Sequence, residues 1–483
     1  MNFTLLLPEI VLAATALVVI LGDLFLNRKG LLTLISLIGI AASFILTTTL
    51  ARHDPQTIWQ GLLAVDGLAI LMKLLFLGLS ALVIVVSTDY VNRIRGLRGE
   101  YHALILLSTL GMMLLSSSTN LITIFVSLEL VSVPIYALVG FLKDQRGTES
   151  ALKYVLLSAI NSAILLYGLA LIFGFTGATS LSGIAQTVGS LSISEIMAQP
   201  GLIFGLALTL AGFGFKIAAV PFHMWAPDVY EGSPTPVALF LSAGSKLAGF
   251  AVLLRILSSA FAVPTAITQG WGLVMAILAA VGMSTGNLLA IPQSNIKRML
   301  AYSGIAHSGY MLVAVAAMGK AYEGAPASSL LFYMLGFALA EVVAFAVVAI
   351  ASQRVGDQIA DYAGLGKRAP ALAAALTVGL LSLMGIPPAA GFIAKFYVFS
   401  QAAEGGLWWL VIIAVLNTVL SAYYYLRVIR LMWQGEPSDS TPITVGMASK
   451  IALLFTTLAV LALGIFPFWG MKLAEFGAAI FLP

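Results

Sequence analysis

The sequence predicts an all-α polytopic membrane protein, and three observations carry that prediction. Charged residues are scarce: 24 Lys or Arg and 20 Asp or Glu make up 9% of the 483 residues, where soluble domains carry about 25%. Hydrophobic residues make up 60% of the chain, and its mean hydropathy is +1.03. Apolar stretches long enough to cross a bilayer, about 20 residues each, follow one another from end to end with short polar separators. A soluble chain could not hide so much apolar surface, because much of any fold's exterior stays wet.

That ruler gives about fourteen spans. The first three lie near 4–26, 30–51 and 66–88, separated by polar residues at 27–30 and 52–60. Five more follow near 101–117, 120–141, 151–175, 201–222 and 237–258. The longest polar connection, Thr176 to Pro200, reads as only weakly amphipathic. Another five lie near 271–291, 298–318, 328–352, 370–402 and 407–432, and a last near 450–481. No loop leaves room for a soluble domain. The stretch from Met1 to Ile20 has no basic region and carries Glu9, so a retained first span is expected and not a cleaved signal or transit peptide.

Orientation follows from Lys and Arg, which accumulate on cytoplasmic loops. With the N-terminus outside, the inner loops hold sixteen basic residues: Arg28, Lys29, Arg93, Arg95, Arg98, Lys143, Arg146, Lys153, Lys297, Arg298, Arg354, Lys367, Arg368, Arg427, Arg430 and Lys450. The outer side receives four: Arg52, Arg255, Lys320 and Lys472. An even number of spans then puts both termini outside. The net charge of +4 and pI near 9.1 express this asymmetry and do not point to nucleic acid.

Internal symmetry is a second pattern. The seventh span ends in Lys216-Ile-Ala-Ala-Val-Pro221, and the twelfth contains Gly385-Ile-Pro-Pro-Ala-Ala-Gly-Phe-Ile-Ala-Lys395. Each is an apolar helix interrupted by Pro or Gly with a lysine within two turns. They lie five spans apart, an odd offset that inverts the second copy relative to the first. Paired broken helices in inverted repeats point to a transport site near the midplane. The expected organisation is three spans over 1–99, five-helix repeats over 100–262 and 263–437, and a terminal helix over 438–483.

The absence of cysteine removes disulfides, thiolate zinc sites and cysteine-ligated iron–sulfur clusters. Four scattered histidines, His53, His102, His223 and His307, do not compose a metal or haem site. No Gly-x-x-x-x-Gly-Lys-Ser/Thr loop occurs, which argues against an ATP-driven pump.

The remaining signal is the ionisable groups inside spans, which need partners, water or a purpose. They are Glu129 in the fifth span, Lys216 in the seventh, Lys246 in the eighth, Glu341 in the eleventh and Lys395 in the twelfth, with His307 in the middle of the tenth. Away from water an ammonium holds its proton less firmly, and a nearby carboxylate strengthens that hold. A Lys–Glu pair whose separation changes is therefore a proton switch, and Glu129 with Lys216 is the natural pair. Pro221 frees a backbone carbonyl about one turn upstream, which invites water beside Lys216. The alternative is a set of structural ion pairs. His307 reads equally as a relay or as a hydrogen-bonded interior residue, and Glu341 as a relay or an ion-pair partner. Lys73, near the start of the third span, reads as a side chain that snorkels to the interface.

Several stretches go beyond composition: Phe125-Val-Ser-Leu-Glu-Leu130, Ser150-Ala-Leu-Lys-Tyr154, Gly244-Ser-Lys246, Lys297-Arg-Met-Leu-Ala-Tyr-Ser303, Gly385-Ile-Pro-Pro-Ala-Ala-Gly-Phe392, and the long run from Phe213 through Lys216 and Asp228-Val-Tyr-Glu-Gly-Ser-Pro-Thr-Pro236. Together they resemble the antiporter-like membrane subunits of respiratory complex I, nearly end to end. The Asp228–Pro236 wording, Leu7-Pro-Glu9 and Gly22-Asp-Leu24 resemble the shorter N type, and the chain has no residues for the lateral helix that ends the L type.

The resemblance implies a proton path through Glu129, Lys216, Lys246 and Lys395, with His307 and Tyr302 near the central axis. Glu341 departs from the uncharged stretch expected there, and a carboxylate at this position could partner Lys395 or another relay group. The resemblance further implies no cofactor on this chain, with NADH, FMN, iron–sulfur clusters and a quinone in partner subunits of the M, L, K, J, A and H types. It implies a lipid environment in a bacterial plasma membrane. The expected function is proton translocation within NADH-quinone oxidoreductase. The rivals are an Mrp-type cation/proton antiporter subunit, which shares this repeat, and a non-pumping scaffold.

Overall fold

The computed structural model describes residues 3–26, 30–91, 98–263, 265–320, 325–437, 439, 441 and 443–481. Arg28, Lys29, Arg93 and Arg95, four of the charges that orient the chain, lie outside the described residues. Among the described residues twelve helices are long and apolar enough to cross a membrane, and two shorter apolar ones, Pro200–Lys216 and Pro370–Met384, are the spans expected to be broken. The molecule is a multi-pass helical membrane protein with about the fourteen spans its sequence implies.

The first three spans are α1 (Leu7–Phe25), α2 (Gly30–Leu50) and α3 (Gly67–Val91). A small antiparallel ribbon, β1 (Gln56–Ile58) with β2 (Leu63–Val65), bridges α2 and α3. It is a minor exception to the all-α expectation. Next come α4 (Arg98–Ser117), α5 (Leu121–Val139) and α6 (Gln145–Thr176).

The connection beyond α6 is more ordered than expected, folding into α7 (Leu181–Ser190) and α8 (Ile193–Met197). The hydroxyls of Ser180 and Ser192 cap the two helices by accepting the N–H groups of Gly183 and Glu195, which would otherwise lack partners. Leu181, Ile184 and Val188 form a buried stripe on α7 that packs toward α12 (Lys246–Ala260). Three apolar residues at helical spacing in a polar connection were the signal for it.

Between α8 and α12 lie α9 (Pro200–Lys216), α10 (Trp225–Gly232) and α11 (Thr235–Leu239), with a π-helical turn at Phe240–Ser245 leading into α12. The second set comprises α13 (Thr265–Ala290), α14 (Ile296–Met318), α15 (Ala325–Val355), the short α16 (Leu365–Arg368), α17 (Pro370–Met384), α18 (Ala390–Glu404) and α19 (Trp408–Gln434). The last predicted span is split at Pro467, which supplies no N–H to continue a helix, into α20 (Met447–Ile465) and α21 (Pro467–Ala478).

Burial orders these helices. α12, α14 and most of α15 are buried almost throughout, whereas α2, α6, α19 and α20 turn most of their surface outward. The outward faces are apolar, with Ile45, Ile160, Val419 and Phe455 among the exposed residues, as a lipid-facing surface requires. The inner three form an axis through the middle of the bundle, and the charged residues gather along it.

Two inward-facing cations depart from expectation. Lys73 does not snorkel: it is fully buried, and its ammonium meets the Glu9 carboxylate of α1 at 2.6 Å. Arg255 is not an outer-loop charge. It is 2% exposed and grips Asp66 with two N–H groups at 2.7 and 2.9 Å. Its side chain reaches from the last third of α12 to the residue before α3, and the helix around it is buried as well.

Candidate functional site

Two interrupted helices organise the site. α9 stops at Lys216, and the chain runs through Val220–Pro221 before resuming as α10. Backbone released inside a bilayer must find partners within the protein. The indole N–H of Trp225 donates to the carbonyl of Phe215 at 2.9 Å, and the hydroxyl of Ser308 donates to that of Ile217 at 2.5 Å. The carbonyl that Pro221 frees, expected to attract water, thus has a protein donor from α14.

The second break lies between α17 and α18. Gly385 ends α17 at φ +86°, the left-handed conformation that glycine adopts without a Cβ penalty. The Lys395 ammonium donates to the buried carbonyl of Met384, the last residue of α17, at 2.9 Å. The N–H of Gly391 donates to the Ser382 hydroxyl at 3.1 Å. A Cβ on Gly391 would run into the carbonyl of Ser382, so glycine there lets the two half-helices pass closely.

The three lysines predicted inside spans are all buried, Lys216 and Lys395 at 4% exposure and Lys246 at 2%. Among the described residues none of them makes an ion pair within 4 Å. Lys216 donates to the hydroxyl of Ser132 at 3.0 Å, and Lys246 to the carbonyl of Gly304 at 2.6 Å. The ammonium of Lys246 stands 5.5 Å from the Phe337 ring centre, and that of Lys395 stands 4.5 Å from that of Tyr310, positions in which a ring face attracts a cation.

Carboxylates stand near this line without closing on it. Glu129, half-buried on α5, accepts the hydroxyl of Ser162 at 2.6 Å and lies within Coulombic reach of Lys216. Ser132, which accepts from Lys216, is one helical turn from Glu129 on the same helix. Glu341 on α15 is fully buried and accepts the Ser242 hydroxyl at 2.7 Å. Its other oxygen has no hydrogen-bond partner. Ser242 lies in the π-helical turn that leads into Lys246, so the charge facing Glu341 is that of Lys246, not that of Lys395.

His307 lies within Coulombic reach of both Lys246 and Lys395. Its Nδ1 lies 2.8 Å from the hydroxyl of Tyr333, and its Nε2 lies 3.4 Å from that of Tyr425, which also contacts the Ser303 hydroxyl closely. Thr418 and Asn287 donate to the hydroxyl of Tyr310, the ring under Lys395. Tyr302 is only partly buried. It lies near Arg298, whose guanidinium bonds Asp228 and Glu231 at 2.6 and 3.0 Å, so the structure places it at the arginine-bearing end of α14 and not on the central axis.

Ser132, Ser162, Ser242, Tyr333 and Tyr425 were not singled out from sequence. Spacing offered a faint signal for Ser132, three residues after Glu129. The tyrosines offered none, because an aromatic in an apolar helix reads as packing.

A buried polar axis running past two broken helices, each with a lysine at or beside its break, defines an antiporter-like membrane bundle. A family profile described as NADH:quinone oxidoreductase/Mrp antiporter, TM, matches residues 118–421. The NADH-quinone oxidoreductase subunit N of Dehalococcoides mccartyi is 50% identical over 475 residues, covering 98% of both chains. Subunit N 2 of Symbiobacterium thermophilum is 42% identical over 96% of this chain and 94% of its own. The chain belongs to the NADH:quinone oxidoreductase/Mrp antiporter family and, within it, to the NADH-quinone oxidoreductase subunit N proteins.

Among solved structures, a chain of respiratory complex I from Thermus thermophilus superposes with a TM-score of 0.80 at 34% identity, over 96% of this chain and 99% of that one. A chain of the Mrp complex from Dietzia has the same fold, with a TM-score of 0.86 over 99% of this chain and 97% of its own, at 20% identity.

Proposed function

We propose that this chain is a proton-translocating subunit in the membrane arm of a bacterial NADH-quinone oxidoreductase. The observation that carries the proposal is the state of the three central lysines. Each is buried and bonded to a neutral oxygen, with no carboxylate of the described residues in contact. A contact ion pair would hold the proton, whereas a lone buried ammonium with an acid at some distance can exchange it as that distance or its hydration changes.

In this reading Lys216 is the switching lysine and Glu129 tunes it across Ser132. Lys246 passes the proton to the centre under the influence of Glu341, His307 with its tyrosines carries it across, and Lys395 serves the exit half. The paired breaks support two inverted repeats over 100–262 and 263–437. Electron transfer from NADH through FMN and iron–sulfur clusters to a quinone belongs to partner subunits. The neighbours are membrane-arm subunits of the M, L, K, J, A and H types, in a bacterial plasma membrane with both termini outside. Moving a charge against 100 mV costs about 2.3 kcal/mol, a scale that one charged-group contact of about 1.5–3 kcal/mol can supply.

Membranes carrying Lys216→Ala or Lys395→Ala test the reading. NADH-driven proton pumping and NADH-quinone electron transfer are recorded together, with a native gel for assembly. Assembled complexes with depressed pumping or coupled turnover are expected. Full pumping in both variants would make the lysines structural and the chain a scaffold.

A further inference from the structure

At the end of α19 a groove of about 1290 Å³ opens beside Tyr423, Leu426, Arg427, Arg430 and Trp433, closed on one side by Ala360 and Ala363. The α19 residues recur every three to four positions and so form one face of the helix. All five are exposed.

The two arginines differ from five of the cations at the same end of the bundle. Lys153, Lys297, Arg298, Lys367 and Arg368 each face a carboxylate. Among the described residues Arg427 and Arg430 face none. Arg427 donates to the carbonyls of Ile291 and Gln293 at 3.2 and 3.4 Å, and Arg430 to the side chain of Gln434 at 3.2 Å. Both guanidinium groups retain N–H groups for a further acceptor, since each has five.

Depth supplies the second argument. α19 has 27 residues and is about 40 Å long at 1.5 Å per residue, longer than the roughly 30 Å hydrocarbon core. Centred on that core, α19 overhangs it by about 5 Å at each end, so Tyr423 and Leu426 stand at acyl-chain level. Trp433 stands beyond the core edge, Arg430 about at it and Arg427 about a turn deeper, and the long arginine side chains reach up from there to the headgroups.

We propose that this groove binds an anionic phospholipid of the cytoplasmic leaflet, its phosphate between Arg427 and Arg430 and an acyl chain along Tyr423 and Leu426. Charge complementarity selects the headgroup, and the apolar floor below the arginines selects a lipid over a soluble anion. The proposal rests on the membrane fold and its orientation, independently of proton transport.

The test uses the assembled membrane complex with two photoreactive probes, a phosphatidylglycerol and a phosphatidylcholine carrying the same diazirine acyl chain. Phosphatidylglycerol should label residues 423–434 in preference to phosphatidylcholine. A surface arginine near an anionic lipid is worth about fivefold in binding, so Arg427→Gln/Arg430→Gln should cut the labelling about 30-fold and leave the phosphatidylcholine background unchanged. If the double variant does not assemble, Arg430→Gln alone should cut labelling about fivefold. Equal labelling by both lipids, or labelling indifferent to the arginines, would overturn the proposal. Complete competition by millimolar inorganic phosphate would make this a free-anion site and overturn the lipid source. Crosslinking from a photoreactive residue at position 426 into another polypeptide, with no lipid adduct, would mean that a protein partner fills the groove.

Discussion

Removing the guanidinium of Arg255 should be among the most damaging single changes in this chain. Asp66 is 7% exposed and accepts three N–H groups, two from Arg255 at 2.7 and 2.9 Å and one from the Ala69 backbone at 2.8 Å. Arg255 also donates from Nε to the carbonyl of Ser116 at 3.0 Å, so one side chain ties α12 to α3 and α4. In Arg255→Met the carboxylate keeps one donor of three and loses its counter-charge, a change that costs about 3–5 kcal/mol for a buried pair. Asp66→Leu strands the guanidinium and should cost a similar amount. The double variant removes both charges of this pair and should recover to within about 1–2 kcal/mol of the native chain, the remainder reflecting lost bonds at Ser116 and Ala69.

Arg255 lies nine residues beyond Lys246 on α12, about 13 Å along the helix axis. The anchor therefore helps to fix the height of Lys246 in the bundle. The assay is the unfolding midpoint in lipid–detergent micelles across the four-member cycle. A single variant within about 1 kcal/mol of native, or costs that simply add in the double variant, would refute the reasoning, because contacting charges must couple.

Three further outcomes follow from the same contacts. Lys73→Met strands the Glu9 carboxylate and should destabilise the chain by about 3 kcal/mol, while Glu9→Leu/Lys73→Met should restore the unfolding midpoint; a double variant no better than the single would refute the pairing. Gly391→Val should prevent accumulation of folded protein or abolish pumping, because its side chain would occupy the space of the Ser382 carbonyl; native expression and pumping would show that α17 and α18 can separate freely at the break. Glu341→Gln keeps an acceptor for Ser242 but removes the charge facing Lys246. It should leave assembly intact and slow coupled turnover about tenfold, the rate factor for about 1.4 kcal/mol, and unchanged turnover would place Glu341 outside the path.

The breaks were legible in the sequence because their signals are local. Pro221, Gly385 and Pro387-Pro388 sit within apolar runs that nothing else interrupts, and Lys216 and Lys395 lie within a few residues of them. The order of the central network was not legible, because it depends on pairings across long stretches of chain. Tyr333 and Tyr425 reach His307 from 26 and 118 residues away, and in sequence each is only another aromatic in a helix. Ser242 reaches Glu341 because a π-helical turn rotates the start of α12, and no residue pattern announced that turn. Loop charges could be counted but not matched with partners, which is how Arg255 came to be placed on the outer side.

The same limitation explains why intramembrane charge alone does not separate structural from functional groups. Lys73 and Arg255 are as buried as Lys216, Lys246 and Lys395. Their carboxylates sit in contact, at 2.6 and 2.7 Å, and a closed pair has little to gain by moving a proton. The three lysines on the axis are held by a hydroxyl and two carbonyls, groups that accept a hydrogen bond without supplying a countercharge. Removing a partner from the first kind should cost mainly stability, and removing a lysine of the second kind should cost mainly coupling. Comparing unfolding midpoint with pumping across Lys73→Met, Arg255→Met, Lys216→Ala and Lys395→Ala tests that division directly. If all four lose stability and pumping in the same proportion, the distinction between closed and open charges has no functional content in this bundle.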